Sequence, residues 1–167
     1  MKKMALVAVC AAAVLVQLSG LAAMRPLGVV PAVALVVVVL VGLEATATLA
    51  LVVAVAGGVM LDLASGANMG LWTGVLVLAA LAAGLVRRSG IETGSWWVPA
   101  VMVAAGTLTV AAVILVGIAS AGADWQLGVA AGRVAMEIAV NMVVLTVLRP
   151  VVRWLAPPAS ADTMAMS

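Results

Sequence analysis

Three polar side chains stand four residues apart in the last apolar stretch of the sequence, GVAAGRVAMEIAVN. They are Arg133, Glu137 and Asn141, and this spacing places them on one face of a helix. A charge at the centre of a bilayer costs at least about 2.5–3.5 kcal/mol on insertion scales, so Glu137 must be paired and must face protein or a cavity. Arg133 can neutralise it, and a second helix would complete the pairing. With Gly128 and Gly132 beside it, the stripe predicts helix packing or partner docking, and a proton or ion relay is the alternative.

A lone carboxylate ends another apolar stretch, in GGVMLDLASGANMGLW. Gly58 and Asp62 are four residues apart, and Gly70 and Gly74 repeat that spacing after a short Ser/Gly segment. Small residues at this spacing let two membrane helices approach closely. The stretch therefore predicts two helices that meet through glycine faces across a compact turn.

The carboxylate of Asp62 needs a partner, because a negative charge at a helix C-terminus opposes the helix dipole. An ion pair between Arg25 and Asp62 is our first hypothesis. Free backbone N–H groups at the start of the following helix are the second. A solvated loop position for Asp62 is the remaining interpretation.

The residue types argue against catalysis. The chain has no histidine, which removes the commonest general base and metal ligand, and its one cysteine cannot form an intramolecular disulfide. The carboxylates of Glu44, Asp62 and Glu137 are expected at different depths, too far apart to share a metal ion. A relay would need ionisable residues in several apolar stretches, and only the last has them at its middle. We therefore predict no enzyme activity, cofactor or metal, and no nucleic-acid binding.

The composition identifies the class of protein. Of the 167 residues, 67% are hydrophobic and 8% are charged, and the mean hydropathy is +1.37. Soluble domains have roughly 45–50% apolar and about 25% charged residues. A soluble fold of this length could not bury so much apolar surface, so the sequence predicts an all-α integral membrane protein.

Six apolar stretches are long enough to cross a bilayer, which takes about 17–25 residues. They are residues 4–24, 27–43, 45–61, 69–86, 96–119 and 125–148. The second and third are short and nearly continuous, which favours a tight helical hairpin; one long bent helix with a re-entrant segment is the alternative. We predict one domain, residues 1–156, and a disordered Pro/Ser/Ala-rich tail, residues 157–167.

Basic residues predict the orientation, because Lys and Arg favour cytoplasmic loops. With the N-terminus in the cytoplasm, only Arg25 falls in an outer loop. The residues on the inner side are then Lys2, Lys3, Arg87, Arg88, Arg149 and Arg153. Both termini are therefore expected in the cytoplasm. Cleavage of the first stretch as a signal peptide is the alternative, but the stretch is longer than the usual apolar region of such peptides.

The two segments GGVMLDLASGANMGLW and LAALAAGLVRR resemble the rod shape-determining protein MreD family. In that family a glycine-rich third span ends in a Gly-x-x-x-Asp-Leu motif, which a short loop, a helix and a basic cytoplasmic end follow. The chain departs from the family in RPLGVVPAV, which lacks the usual Pro-Asp pair. The matching residues are Gly58, Asp62, Leu63, Gly70 and Gly84.

This resemblance implies a non-enzymatic adaptor in the bacterial cytoplasmic membrane, with a six-helix fold similar to the substrate-binding subunits of energy-coupling-factor transporters. Besides membrane lipids, it implies MreC as partner, and through MreC the filament protein MreB, RodA and a class B penicillin-binding protein. The implied process is cell-shape control and peptidoglycan synthesis by the elongation machinery. A substrate-binding or permease-type subunit of a small-solute transporter is the alternative.

Overall fold

The described part of the chain is helical throughout. The computed structural model describes residues 2–23, 31–65, 70–92, 94–120 and 127–156, which form helices joined by short turns. The predicted tail, residues 157–167, lies outside these ranges. The helices are α1 (Lys2–Ala23), α2 (Val33–Glu44), α3 (Ala47–Ser65), α4 (Leu71–Arg88), α5 (Trp97–Ser120) and α6 (Leu127–Leu155).

Five helices form a closed ring around α2. Contacts join α1 to α3, α3 to α4, α4 to α5, α5 to α6 and α6 back to α1, and α2 contacts all five. Every residue of α2 from Val33 to Leu43 is buried. Its sequence, VALVVVVLVGLE, is apolar on all sides, as in a helix surrounded by protein or by lipid.

The described central helix is shorter than the hydrocarbon core of a bilayer. It has 12 residues, which correspond to about 18 Å at 1.5 Å per residue. A hydrocarbon core is about 30 Å thick. The sequence predicts a span over residues 27–43, whereas the helix begins at Val33 and residues 24–30 lie outside the described ranges. Pro31 stands just before the helix, at a position where a missing N–H is tolerated.

Four of the helices are long and apolar enough to cross a membrane, among the residues described. Two shorter apolar stretches, Ala8–Gln17 and Val33–Glu44, accompany them. By length and composition the chain is therefore an all-α membrane protein. The four candidate spans are Ala47–Ala64, Leu71–Arg88, Trp97–Val116 and Val129–Leu155.

The predicted hairpin between the second and third apolar stretches is present. Helix α2 ends at Glu44 and α3 begins at Ala47, and the two helices pack against each other. The Thr46 hydroxyl oxygen accepts a hydrogen bond from the Leu49 N–H at 3.2 Å, which caps α3. A single long bent helix over this region is thus excluded.

Glycines allow the ring to approach α2 closely. A Cβ added to Gly42 would lie 2.5 Å from the Cβ of Ala83 on α4. A Cβ added to Gly106 of α5 would lie 2.9 Å from a methyl group of Leu35. Contacts under 3.0 Å cannot be accommodated without movement: at Gly42 the Cβ of Ala83 would have to move with α4, whereas at Gly106 the end of the Leu35 side chain could shift.

We expect the Gly42→Ala substitution to destabilise the protein by about 1–3 kcal/mol, because the added methyl group must push α4 away from α2. The measurement is thermal unfolding of the purified protein in detergent. Gly74→Ala is the matched control, because a Cβ there meets nothing within 4 Å and alanine is favoured over glycine in a helix by about 0.5–1 kcal/mol. Equal unfolding temperatures for the two variants would contradict the close packing of α2 and α4.

Candidate functional site

The carboxylate of Asp62 joins the end of α3 to the start of α4. Its Oδ1 accepts a hydrogen bond from the Trp72 N–H at 2.8 Å. Its Oδ2 accepts from the Gly70 N–H at 3.0 Å, and from the Thr73 N–H at 3.1 Å and hydroxyl at 2.7 Å. The side chain is 3% exposed. One buried carboxylate therefore caps the first turn of the neighbouring helix.

This arrangement is electrostatically favourable for α4. The first N–H groups of a helix have no partner within the helix, and its N-terminus carries a partial positive charge. Gly70 precedes the helix with φ +94, a left-handed conformation that non-glycine residues rarely adopt. That conformation directs the Gly70 N–H toward Asp62, so the glycine and the carboxylate act together.

Gly58 lies one turn before Asp62 and faces the same part of α4. A Cβ on Gly58 would collide with the backbone of Thr73, 2.8 Å from its nitrogen. The predicted glycine face of α3 is therefore used for close packing. On α4 the prediction fails at Gly74, which is exposed with nothing within 4 Å of an added Cβ. The helix presents Thr73 to α3 instead, and Gly74 is about 100° further round the helix.

The hydrogen bonds and burial of Asp62 decide between two of the three hypotheses for this residue. The N–H groups at the start of α4 are its partners, and a solvated loop position is wrong because Asp62 lies buried within α3. The proposed pair with Arg25 involves a residue outside the described ranges. Leu63, the next residue of the motif, is 65% exposed and does not take part in the joint.

A second polar cluster caps α2 inside the bundle. Asn141 of α6 accepts a hydrogen bond through Oδ1 from the Ala32 N–H at 2.8 Å. Gln17 of α1 accepts through Oε1 from the Ala34 N–H, also at 2.8 Å. The Asn141 amide also donates to the Thr107 hydroxyl of α5 at 2.9 Å. Three ring helices thus meet at the first turn of α2.

These amides compensate for the short length of α2. Asn141 lies about 12 Å along α6 from Arg149, at 1.5 Å per residue, so α2 begins deep inside the bundle. Water does not reach that depth, and an unsatisfied backbone N–H there costs several kcal/mol. Asn141 is fully buried. Its predicted packing role is thus filled within the chain rather than at a partner surface.

The three residues of the predicted polar stripe on α6 lie in different environments. Asn141 faces α2, whereas Arg133 is exposed and Glu137 is only partly buried. In the part of the chain that the structure describes, neither side chain forms a hydrogen bond or an ion pair. Gly132 is exposed, and a Cβ there would meet nothing within 4 Å. For Gly128 the structure describes only the helical backbone.

An apolar groove opens beside this surface, between α5 and the first half of α6. Its volume is about 450 Å³, and its walls are aliphatic side chains such as Leu108, Ala112 and Val134. A smaller groove of about 220 Å³ lies between α4 and α5 and is lined mainly by apolar residues. Among the described residues, no three His, Cys, Asp or Glu side chains come together as a metal site.

An ion cluster joins helices at the opposite end from Asp62. The Glu44 carboxylate lies 3.6 Å from the Nε of Arg153 and 4.0 Å from that of Arg149. The guanidinium of Arg149 also donates to the backbone oxygens of Gly94 at 2.7 Å and Ser95 at 3.1 Å. The α2–α3 turn, the segment before α5 and the end of α6 are therefore held together.

Sequence reasoning missed several of these contacts. Gln17 is the one amide in the first apolar stretch, and an isolated amide there is a signal for a buried hydrogen bond. Glu44 at a span end, with basic residues near the end of the last span, was the available signal for the ion cluster. Nothing in the local pattern distinguishes Thr107 or Thr73 from other threonines.

Comparisons with family models, curated proteins and solved structures find no match to this chain.

We expect Asp62→Asn to destabilise the protein by about 1–3 kcal/mol, because the new NH₂ group cannot accept from the backbone N–H groups of α4. Thermal unfolding in detergent measures the loss. Glu92→Gln is the control, since Glu92 is exposed. An unfolding temperature for Asp62→Asn as high as that of the control would contradict the capping role.

Asn141→Leu is expected to destabilise the protein by about 1–3 kcal/mol, since it leaves the buried Ala32 N–H without its acceptor. Thr146→Val is a suitable control: the Thr146 hydroxyl is exposed and bonds only to a carbonyl in its own helix. The readout is again thermal unfolding. A smaller loss for Asn141→Leu than for Thr146→Val would show that α2 does not depend on this cap.

Proposed function

We propose that this chain is a non-enzymatic membrane adaptor of the MreD type, which binds the bitopic protein MreC in the cell-wall elongation machinery of a bacterium. In this proposal it spans the cytoplasmic membrane six times, with a fold similar to the substrate-binding subunits of energy-coupling-factor transporters. Its role would be to support cell-shape control and peptidoglycan synthesis, through MreC, together with MreB, RodA and a class B penicillin-binding protein.

The observation that carries the proposal is the joint between α3 and α4. Of the residues that match the family, Gly58, Asp62 and Gly70 meet in one unit of close packing and hydrogen bonds. The sequence motif therefore corresponds to a structural requirement, which supports the assignment.

The arrangement of helix ends supports a six-span topology. The α2–α3 turn at Glu44, the segment before α5 at Ser95 and the end of α6 at Arg149 lie together, whereas the α3–α4 joint lies at the other end of both helices. Such alternation of turns between the two ends supports a topology in which successive helices run in opposite directions across the bilayer. The exposed Arg88 and Arg153 at the Glu44 end favour the cytoplasm for that end.

An adaptor also fits the way in which the charged groups are used. Asp62 and Glu44 join helices of the chain itself, while Arg133 and Glu137 remain on the surface of α6. Charges on a helix face within hydrocarbon are costly unless another protein group meets them. A membrane partner would supply that group, as the adaptor proposal requires.

The test is co-purification of the full-length tagged chain from native membranes in mild detergent, with the bound proteins identified by mass spectrometry. We expect MreC in at least tenfold excess over a tag-only control. An unrelated polytopic membrane protein with the same tag is the second control.

A coupling ATPase in place of MreC would overturn the adaptor proposal in favour of a transport subunit. Recovery of the chain without any enriched membrane protein would also contradict it. Loss of rod shape when the chain is depleted from its host, and recovery on re-expression, would support the assignment to the elongation machinery.

A further inference from the structure

The face of α6 that carries Arg133 is exposed and combines charged residues, apolar residues and a glycine. Val129, Gly132, Arg133 and Met136 are all exposed, and Glu137 is partly exposed. These residues form two adjacent rows at four-residue spacing along the helix. We use the name Arg133 surface for residues 129, 132, 133, 136 and 137.

The depth of the Arg133 surface makes its charges anomalous. Arg149 bonds to Ser95 at one end of the bundle. Counting from Arg149 at 1.5 Å per residue, Glu137 lies about 18 Å along α6 and Arg133 about 24 Å. If Arg149 marks one boundary of a hydrocarbon core of about 30 Å, Glu137 is near the middle and Arg133 is about one helical turn from the far boundary. Lipid alone offers Glu137 no hydrogen-bonding group at that depth.

The rest of the chain does not supply the missing partner in the described ranges. The Glu137 carboxylate and the Arg133 guanidinium lie near enough to attract each other, but they form no salt bridge and no hydrogen bond with another described residue. By contrast, the buried Asn141 one turn further along α6 bonds to both α2 and α5. The polar groups that face inward are satisfied, and the polar groups that face outward are left for another molecule.

Gly132 indicates how closely that molecule approaches. At Gly42 and Gly58 an added Cβ would come within 3.0 Å of a Cβ or backbone atom of α4, so the fold itself requires those glycines. At Gly132 an added Cβ would meet nothing within 4 Å. A glycine inside a helix is destabilising by about 0.5–1 kcal/mol relative to alanine. Gly132 makes no close helix contact within the described chain that would offset this cost.

We propose that the Arg133 surface binds one transmembrane helix of a partner protein, a helix that carries a polar side chain at the depth of Glu137. This inference rests on the proposed adaptor function. Gly132 is the one small residue of the Arg133 surface, and its missing side chain lets another helix approach closely at that point. Charge complementarity sets the chemistry of the partner helix: an Asn, Gln, Ser or Thr side chain that donates to Glu137 and accepts from Arg133.

Site-specific photo-crosslinking in native membranes tests the location. A photoreactive amino acid replaces Met136 on the Arg133 surface, and in the control it replaces Met60 of α3. The two methionines are similarly exposed, at 47% and 55%. We expect a crosslink from position 136, and not from position 60, to a protein with a transmembrane helix. A crosslink from position 136 only to a second copy of this chain, or only to lipid, would overturn the inference.

Substitutions test the contacts. Gly132→Leu should reduce the co-purified partner at least tenfold, whereas Ala56→Leu on the exposed face of α3 should leave the yield unchanged. Glu137→Leu should reduce the yield similarly, and Glu137→Gln should retain most of it because a carboxamide keeps the hydrogen bond. Thermal unfolding verifies that each variant is folded.

The outcomes distinguish this inference from the function on which it rests. If MreC or another partner co-purifies with wild-type protein and equally well with Gly132→Leu and Glu137→Leu, the Arg133 surface is wrong and the adaptor proposal stands. If the wild-type protein enriches no partner, the adaptor proposal itself fails. An equal loss for Glu137→Gln and Glu137→Leu would overturn the hydrogen-bonding requirement.

Discussion

A helix that begins inside an apolar bundle has N–H groups that no water can reach, and this constraint governs the centre of the protein. Because α2 starts deep within the ring, its first turn depends on acceptors from other helices. Gln17 and Asn141 provide them from opposite ends of the sequence, and Thr107 fixes the orientation of the asparagine. The buried polar residues Gln17, Thr107 and Asn141 therefore stabilise the start of this short helix.

The same physical rule explains the α3–α4 joint at one end and the ion cluster at the other. At Asp62 a carboxylate replaces the missing acceptors of a helix start, and at Glu44 a carboxylate meets guanidinium groups that also bond to backbone carbonyls. Asp62 joins two consecutive helices, and Glu44 joins the α2–α3 turn to the end of α6, which is distant in sequence. The charges on α6 differ because they point away from the chain, and that difference separates internal architecture from the proposed binding surface.

The sequence predicts the class of the protein and the approximate position of its helices, because apolar length and composition depend only on local information. It also predicts that Gly58 and Asp62 act together, since their spacing fixes a shared helix face. It does not predict that α2 is short and central. Val, Leu and Gly occur both in spans exposed to lipid and in helices enclosed by protein. Only the packing of the other five helices around α2 distinguishes the two cases. For the same reason Gly74 was wrongly assigned to a packing face: its orientation depends on where α4 begins.

The closure of the ring also has a consequence for biosynthesis. The first turn of α2 is bonded by a side chain from the first helix and by one from the last. When the ribosome has produced only the N-terminal half of the chain, the acceptor from α6 does not yet exist, and a helix of 12 residues cannot span the bilayer by itself. The hydrogen bonds at the start of α2 can therefore be complete only after the sixth helix has been translated.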